Sequence, residues 1–413
     1  MARKVMVLGA GLGQLPLLQT LRRYGFYVIV VAPQRANSPC FELADKFYYS
    51  DVKDKNLILD IARKEKVVAV LSDQLDLATQ SCGYAAENLG LIGNSYRSAL
   101  LFSNKQLMHE FASKKGIKVA KNCKTDKLFD ALEFIKHIKY PAVIKPVDSD
   151  ASRGVYKICS DDELTEHFED ARKFSSDGTV LVEEFIEGQE YVVDGFAWDG
   201  KYQTLAIGKC FNFNIRGKCI SKQRIFKSVA LELSDVEKRI IKINQEIVRS
   251  FSPKIASTQG EYIYDHHRNE IYFNEIAARG GGCFVSSHLV PYASGIDVND
   301  LLVKYISGQL HQQAINLKAG YSAYTCFLLP PGIIKSIEGI DSIKSLSSVK
   351  DIFISNIKEG MVTSEIRDKS SRYGPFIMAS NSLENILDDI KNIKDNFKIF
   401  IQSDDIVKGI IWE

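Results

Sequence analysis

The stretch Gln259-Gly260-Glu261-Tyr-Ile-Tyr-Asp265-His266-His267-Arg268-Asn269-Glu270-Ile-Tyr-Phe-Asn274-Glu275-Ile-Ala277-Ala-Arg279-Gly280-Gly-Gly282 decides how this chain is read. Two aromatic-rich runs flank a polar turn, the pattern of a β-hairpin. With a three-residue loop, His267–Asn269, His266 faces Glu270 and Glu261 faces Glu275 on one side of the sheet. That register also puts Ile263, Ile271 and Phe273 on the acidic side, so the two acids are expected to be partly buried. Directly opposed Cβ atoms lie about 4.5–5.5 Å apart, and like charges there repel. A divalent cation between the carboxylates removes the conflict, and a pair of acids completed by water and phosphate oxygens suits Mg²⁺. A four-residue loop instead pairs Glu261 with Asn274 and sends the acids to opposite faces. The two histidines at the hairpin tip are expected to face solvent rather than hold zinc.

Working outward, the first hundred residues alternate strand and helix. Lys4–Leu8, Phe26–Val31 and Val67–Leu71 are short apolar strands, and Asn56–Lys64 and Leu75–Asn88 have helical spacing. Continuous β-branched runs between amphipathic helices imply a parallel sheet covered on both faces. Gly9, Gly11 and Gly13 follow the first strand, but Gln14 stands where a dinucleotide fingerprint needs glycine, and the second strand ends in Ala32-Pro33 without the ribose-binding acid. A tight turn is therefore preferred to a nicotinamide site.

From about Lys118 the pattern becomes α+β, with short strands at Ala142–Lys145, Val155–Ile158, Val180–Glu184, Tyr191–Ala197 and Leu205–Lys209 and a hairpin turn at Asp199-Gly200. Lys145 ends a strand just before Asp148-Ser-Asp-Ala-Ser152-Arg153-Gly154, a small polar loop of the kind that folds over phosphates. Lys105 opens a helix. The strand Val180–Glu184 runs into Phe185-Ile186-Glu187-Gly188-Gln189-Glu190; its exit is suited to a purine edge, and Glu190 to ribose hydroxyls. Each of these has an ordinary surface reading when taken alone.

Composition bounds the class. The 413 residues are 45% hydrophobic and 25% charged, with a net charge of +2, which gives no net-charge case for a nucleic-acid or membrane-surface partner. The eight cysteines form no C-x-x-C pair and read as reduced thiols of a cytoplasmic protein. No apolar run reaches membrane-spanning length.

In order along the chain, Lys105, Pro141–Pro146, Ser152-Arg153-Gly154, Val182–Glu190 and Glu261…Glu275-x-x-x-Arg279 resemble the ATP-grasp superfamily of carboxylate–amine ligases, over about residues 1–310. The resemblance, nearest the biotin-carboxylase-like and L-amino-acid-ligase branches, implies an α/β and α+β multidomain chain. Residues 1–103 would be a Rossmann-like parallel-sheet domain and 104–316 the ATP-grasp fold (subdomains about 104–180 and 181–316). Residues 317–413 would form a small C-terminal α+β domain. It further implies ATP and Mg²⁺ (or Mn²⁺) as cofactors. Lys105, Lys145, Ser152, Arg153 and Gly154 would hold phosphates, Glu183, Glu184 and Ile186 adenine, and Glu190 ribose. Glu261 and Glu275 would ligate the metal, and Arg279 the substrate carboxylate or acyl phosphate. Lys145, Ser152, Arg153 and Arg279 are the residues implied to act in the chemistry. Ala277 departs from the family's Glu-x-Asn, which bears on a second Mg²⁺.

The implied reaction makes an acyl phosphate from ATP and a carboxylate, then joins it to an amine with release of ADP and phosphate. The partners are small acids and amines, amino acids among them, and a homodimer is the commonest assembly. Asp73, Asp76, Arg216, Lys218, Lys222 and His288 are candidate acceptor contacts. The competing readings are a bicarbonate-using carboxylase of the purine-biosynthesis type, an NAD(P)-dependent oxidoreductase, and a silent nucleotide-binding module.

Overall fold

A computed structural model describes residues 2–33, 38–148, 153–215, 218–310 and 315–413. The N-terminal parallel sheet has the order β3-β2-β1-β4, from β1 (Lys4–Leu8), β2 (Tyr27–Ala32), β3 (Lys46–Tyr49) and β4 (Ala69–Leu71). Val5, Val7, Val28 and Val30 pack to one side and Met6, Leu8, Ile29 and Val31 to the other, which is why these strands are apolar at every position. The edge strand β3 carries no such run. Phe47 and Tyr49 are exposed and stack edge-on with Phe41, so period and hydrophobicity do not announce it.

A small antiparallel sheet follows, ordered β5-β8-β6-β7 from β5 (Asn122–Thr125), β6 (Ala142–Pro146), β7 (Tyr156–Ile158) and β8 (Val180–Glu184). Two helices, Leu128–Ile138 and Asp161–Lys173, cover one face through Ala131, Ile135, Leu164 and Phe168. The second starts on Ser160, whose hydroxyl accepts from Glu163 N, and puts three acids in its first turn.

The largest sheet has eight strands among the described residues: β9 (Gln189–Trp198), β10 (Lys201–Ile215), β11 (Lys218–Ser228), β12 (Ile255–Asp265), β13 (Glu270–Ala277), β14 (Tyr321–Phe327), β16 (Val349–Ile352) and β18 (Tyr373–Ser380). Their order is β13-β12-β9-β10-β11-β14-β18-β16. Strands from beyond residue 317 are thus hydrogen-bonded edge to edge with the central ones. The remaining strands, β15 (Gly332–Glu338), β17 (Val362–Thr363), β19 (Lys398–Ser403) and β20 (Ile406–Lys408), make a fourth sheet. The helix Asp235–Phe251, closed at its start by a Ser234–Glu237 capping box, lays Ile240, Ile247, Val248 and Phe251 under the central sheet.

The hairpin that decides the reading is present, with a different turn. Asp265 pairs with Glu270, so the loop has four residues, 266–269, and the three-residue loop is corrected. The register then shifts between Glu261 and Tyr262, and this bulge brings Glu261 opposite Glu275 after all. Tyr262 pairs with Phe273 and Tyr264 with Ile271, which puts Ile271 and Phe273 in the core below; they do not share the acidic face. His266 and His267 are exposed, as expected of a hairpin tip.

Candidate functional site

One cavity of about 1280 Å³ opens between the N-terminal, small and central sheets. Its floor is the bulge. With Asn274 as the extra residue, adjacent side chains Asn274 and Glu275 both reach into the space. The helix Lys105–Lys114 docks its first turns there. Asn104 caps it by accepting from Leu107 N, Lys105 Nζ lies 2.9 Å from Glu275 Oε2, and His109, one turn on, donates through Nε2 to Asn274 O at 2.6 Å. Lys145, on β6, lies 2.6 Å from Glu183 Oε2 and donates to Asn274 Oδ1 at 3.4 Å. The two lysines thus converge on the bulge, Lys105 from the start of a helix and Lys145 from a strand of the small sheet.

The two acids are electrostatically unlike. Burial pushes Glu275 up, but Lys105, Lys145 and Arg279 outweigh it and hold the carboxyl at about 2. Burial and the Glu275 charge push Glu261 up, with only partial relief from Arg224, 3.5 Å away. Both are about 30% exposed to the cavity. A cation between them would lower that cost, so the pair fits a divalent metal.

Arg279 follows β13 and grips Asp76 with two parallel bonds of 2.8 and 2.7 Å; its Nη1 also donates to Gly280 O and, at 3.4 Å, to Gln259 Oε1. Gly280 and Gly281 are required by close packing. A Cβ on Gly281 would lie 2.0 Å from Gln259 Nε2, and one on Gly280 would lie 2.2 Å from Ser286 Cβ. Gly280 N donates to Asp73, which also accepts from Ser286 Oγ. Asp73 is therefore a buried pin between the N-terminal unit and the glycine turn, and it is not an acceptor contact; Asp76 does line the cavity.

The remaining expected residues divide. Glu183, Glu184, Ile186 and Glu190 line one end of the cavity, as do Arg153 and Lys157. Glu190 accepts from Asn212 Nδ2 at 3.0 Å, and Glu184 pairs with Arg268 at 3.3 Å. Glu183 is buried, and its Oε1 accepts no hydrogen bond among the described residues. His109 Nδ1 lies 3.4 Å away, but the neutral ring that donates Nε2–H to Asn274 turns Nδ1 into an acceptor, for Asn122 Nδ2. Gly154 has φ +70 and packs against Phe174 and Pro146. Ser152, Arg216 and the side chain of Lys218 lie outside the described residues. Lys222 pairs with Glu413, and His288 packs among Phe284, Tyr292 and Phe353; both lie away from the cavity lining. Gln14 occupies the N-terminal glycine turn, accepting from Gly11 N and donating to Asp73 O, so that loop is already filled by its own side chain.

Sequence reasoning missed a basic cluster. Arg224 on β11, with Lys369 and Arg372 just before β18, lines the far end of the cavity beside Tyr324 and Cys283. Arg372 donates to Lys369 O at 2.9 Å and Ser221 O at 3.0 Å, both main-chain carbonyls. Arg224 Nε is buried and has no hydrogen-bond partner among the described residues. Asp194, also missed, is buried behind Gln259, 3.2 Å from its Nε2; burial pushes its carboxyl up to about 7.

The family model described as the ATP-grasp domain matches residues 138–258. A formate-dependent phosphoribosylglycinamide formyltransferase of Wolinella succinogenes is 26% identical over 287 residues, 67% of this chain and 70% of that protein. Two further relatives of that name are spanned over 66% and 48% of their length. The L-amino acid ligase of Bacillus licheniformis superposes with a TM-score of 0.79 at 19% identity, covering 97% of this chain and 99% of that one. The biotin carboxylase domain dimer of 2-oxoglutarate carboxylase from Hydrogenobacter thermophilus, solved with MgADP and bicarbonate, superposes with a TM-score of 0.70 at 16% identity, covering 99% and 91%. The fold is shared with both. No helix among the described residues is long and apolar enough to cross a membrane.

Proposed function

The chain contains an ATP-grasp domain, and on that premise we propose that it is an ADP-forming ligase that activates a carboxylate for attack by an amine, giving an amide or peptide bond. The observation that carries the reading is the meeting of Lys105 and Lys145 at the Asn274–Glu275 bulge, with Glu261 opposite and Arg279 just beyond the end of the same strand.

ATP supplies the phosphoryl group and Mg²⁺ the charge neutralisation that the transfer needs. Lys105 and Lys145 would bind phosphate oxygens as point charges, and Glu261 and Glu275 would hold the metal. Arg153, which lines the cavity, would meet the phosphates, and Ser152 and Gly154 are the neighbours that the resemblance assigns to them. Glu183 presents its orphaned Oε1 to a donor on the base, Glu184 and Ile186 border the ring, and Glu190 takes the ribose. Arg279, fixed by Asp76, orients the acid against the phosphoryl group. A carboxylate is a poor electrophile. Its mixed anhydride with phosphate has a good leaving group, and positioning plus charge stabilisation is all the protein need add. No protein nucleophile is required.

Arg224, Lys369 and Arg372 extend the reading to the substrate. Arg224 and Lys369 face Glu261, which the metal would claim, and Arg224 also faces Asp194, whose carboxyl burial pushes up to about 7. A substrate with a further anionic group, carboxylate or phosphate, would be held there. The reduced thiols fit a cytoplasmic enzyme working on small molecules. The test is incubation with ATP, Mg²⁺ and pools of acids and amines. ADP and phosphate are expected, with a hydroxamate when hydroxylamine replaces the amine; AMP and pyrophosphate would discard the acyl-phosphate route.

A further inference from the structure

The Arg279 guanidinium is held through most of its N–H groups. Asp76 takes Nε–H and one Nη2–H, and Gly280 O and Gln259 Oε1 take the pair on Nη1. Among the described residues this leaves one Nη2–H for a ligand in the cavity that Arg279 lines. Asp76 reaches the guanidinium from the N-terminal unit and Gln259 from β12 of the central sheet. Gln259 is 4% exposed and stands directly opposite Asp194 of β9, which is 2% exposed. Its Nε2 donates to both carboxylate oxygens of Asp194, at 3.4 and 3.2 Å. The turn that carries Arg279 closes over the same amide at Gly281, where a Cβ would leave no room for Nε2.

We propose that Asp194 and Gln259 are positioning residues for Arg279: the buried acid fixes which way the amide points, and the amide carbonyl holds the guanidinium with one N–H left for the substrate acid. The role rests on the reading of Arg279 as the contact of that acid. The two ends of an amide have nearly the same shape, so packing alone does not choose between them. Charge does. Turned end for end, the amide would set Oε1 against a carboxylate and Nε2 against a cation; both neighbours select the orientation in which Asp194 accepts and Arg279 donates. Asp194 therefore acts on the guanidinium through one side chain. Gln259 also precedes Glu261 by two residues on β12, the spacing that repeats on one face of a strand. The strand's own geometry thus sets Arg279 against the Glu261–Glu275 pair, whereas Asp76 by itself would tie it to the N-terminal unit alone.

The guanidinium reports on this without turnover. Phenylglyoxal adds to the two Nη atoms of an arginine, and its rate at Arg279 in the full chain is read by mass spectrometry of the digested protein. Gln259→Leu and Asp194→Leu should each speed the reaction by about tenfold, the worth of one hydrogen bond to a charged group. Asp194→Asn keeps an oxygen for Gln259 Nε2 and should restore the native rate. Reaction at Arg224 and Arg372 should not change, which separates a loosened guanidinium from an opened cavity. With ATP, Mg²⁺, hydroxylamine and the twenty amino acids as the acids, the two leucine variants should form hydroxamate more slowly by about 10- to 150-fold at an unchanged KM for ATP. One rate at Arg279 in all four chains, or a rise shared with Arg224 and Arg372, would overturn the proposal. A native chain that forms no hydroxamate would count against the reaction assigned above, and the phenylglyoxal rates would still decide the positioning.

Discussion

Replacing Lys145 by methionine separates what this residue does for the fold from what it does for ATP. Its Nζ is 2.6 Å from Glu183 Oε2, and the side chains are 7% and 6% exposed. Removing one partner of a buried ion pair costs about 3–5 kcal/mol, because the other charge stays behind unpaired. His109 gives that charge a way out. In the native protein burial keeps its imidazole pKa low, and the Lys145 charge adds to this, although Glu183 pulls the other way. A histidine whose folded pKa lies below its unfolded value of about 6.5 loses stability for the fold as pH falls through that value. In Lys145→Met the repulsion is gone and an unpaired carboxylate stands 3.4 Å away. The folded pKa then rises above the unfolded one, so the imidazolium stabilises the fold below pH 6.5 or so and stops doing so as pH rises through the new value. Urea unfolding should therefore show the full loss of about 3–5 kcal/mol at pH 8 and a smaller deficit at pH 5.5. Lys145→Met/Glu183→Gln should recover most of the loss at pH 8. Lys145→Met should bind ATP weaker by about 10- to 150-fold, the worth of one charge-assisted contact, and the double variant weaker still, because it also loses the Glu183 carboxylate at the base. A single variant as stable as the native protein at both pH values, or a double variant no more stable than the single, would refute the reasoning about the pair; unchanged ATP affinity would remove Lys145 from the phosphate site.

Three further outcomes follow from the same geometry. Glu275→Gln removes the carboxylate held at about 2 and should lower Mg²⁺-dependent ADP release by about 10²–10³-fold; native turnover would take Glu275 out of the metal site. Asp194, raised to about 7, holds its proton in the fold at pH values where the unfolded chain has lost it, so its contribution to stability falls as pH rises from about 4 to 7. Asp194→Asn should thus gain on the native protein across that window and run parallel above it in unfolding curves at stepped pH. Arg372→Met should raise KM for the anion-bearing substrate by about 10- to 150-fold and leave KM for ATP unchanged; equal rises in both would make Arg372 a prop for the whole cavity.

The acidic pair was legible because period-two alternation and two aromatic runs announce a hairpin, and because two acids in its arms leave few registers to choose from. The expected route to the pair was nevertheless wrong. A four-residue turn and a bulge each shift the register by one and cancel. Alternation carries no signal for the bulge, yet the bulge puts Asn274 beside Glu275, and with it the contact to Lys145. Lys105, Lys145 and Arg279 were legible through their place in an ordered motif set. Their partners were not, since a buried pair such as Arg279 with Asp76 spans some 200 residues.

The basic cluster shows the limit most plainly. Arg224 sits in Lys222-Gln-Arg224-Ile-Phe-Lys227, an ordinary strand with polar residues expected outward. It turns inward to a cavity only because β14 and β18 extend the central sheet and deliver Arg372 and Cys326 beside it. Long-range strand order is thus what converts an unremarkable arginine into a buried cation with an unpartnered Nε. The end of the cavity to which carboxylate activation is proposed is written in local motifs, whereas the end proposed to choose the substrate is assembled by topology. The two ends should therefore respond separately to mutation: Glu275→Gln acting on turnover, Arg372→Met on the choice of acid.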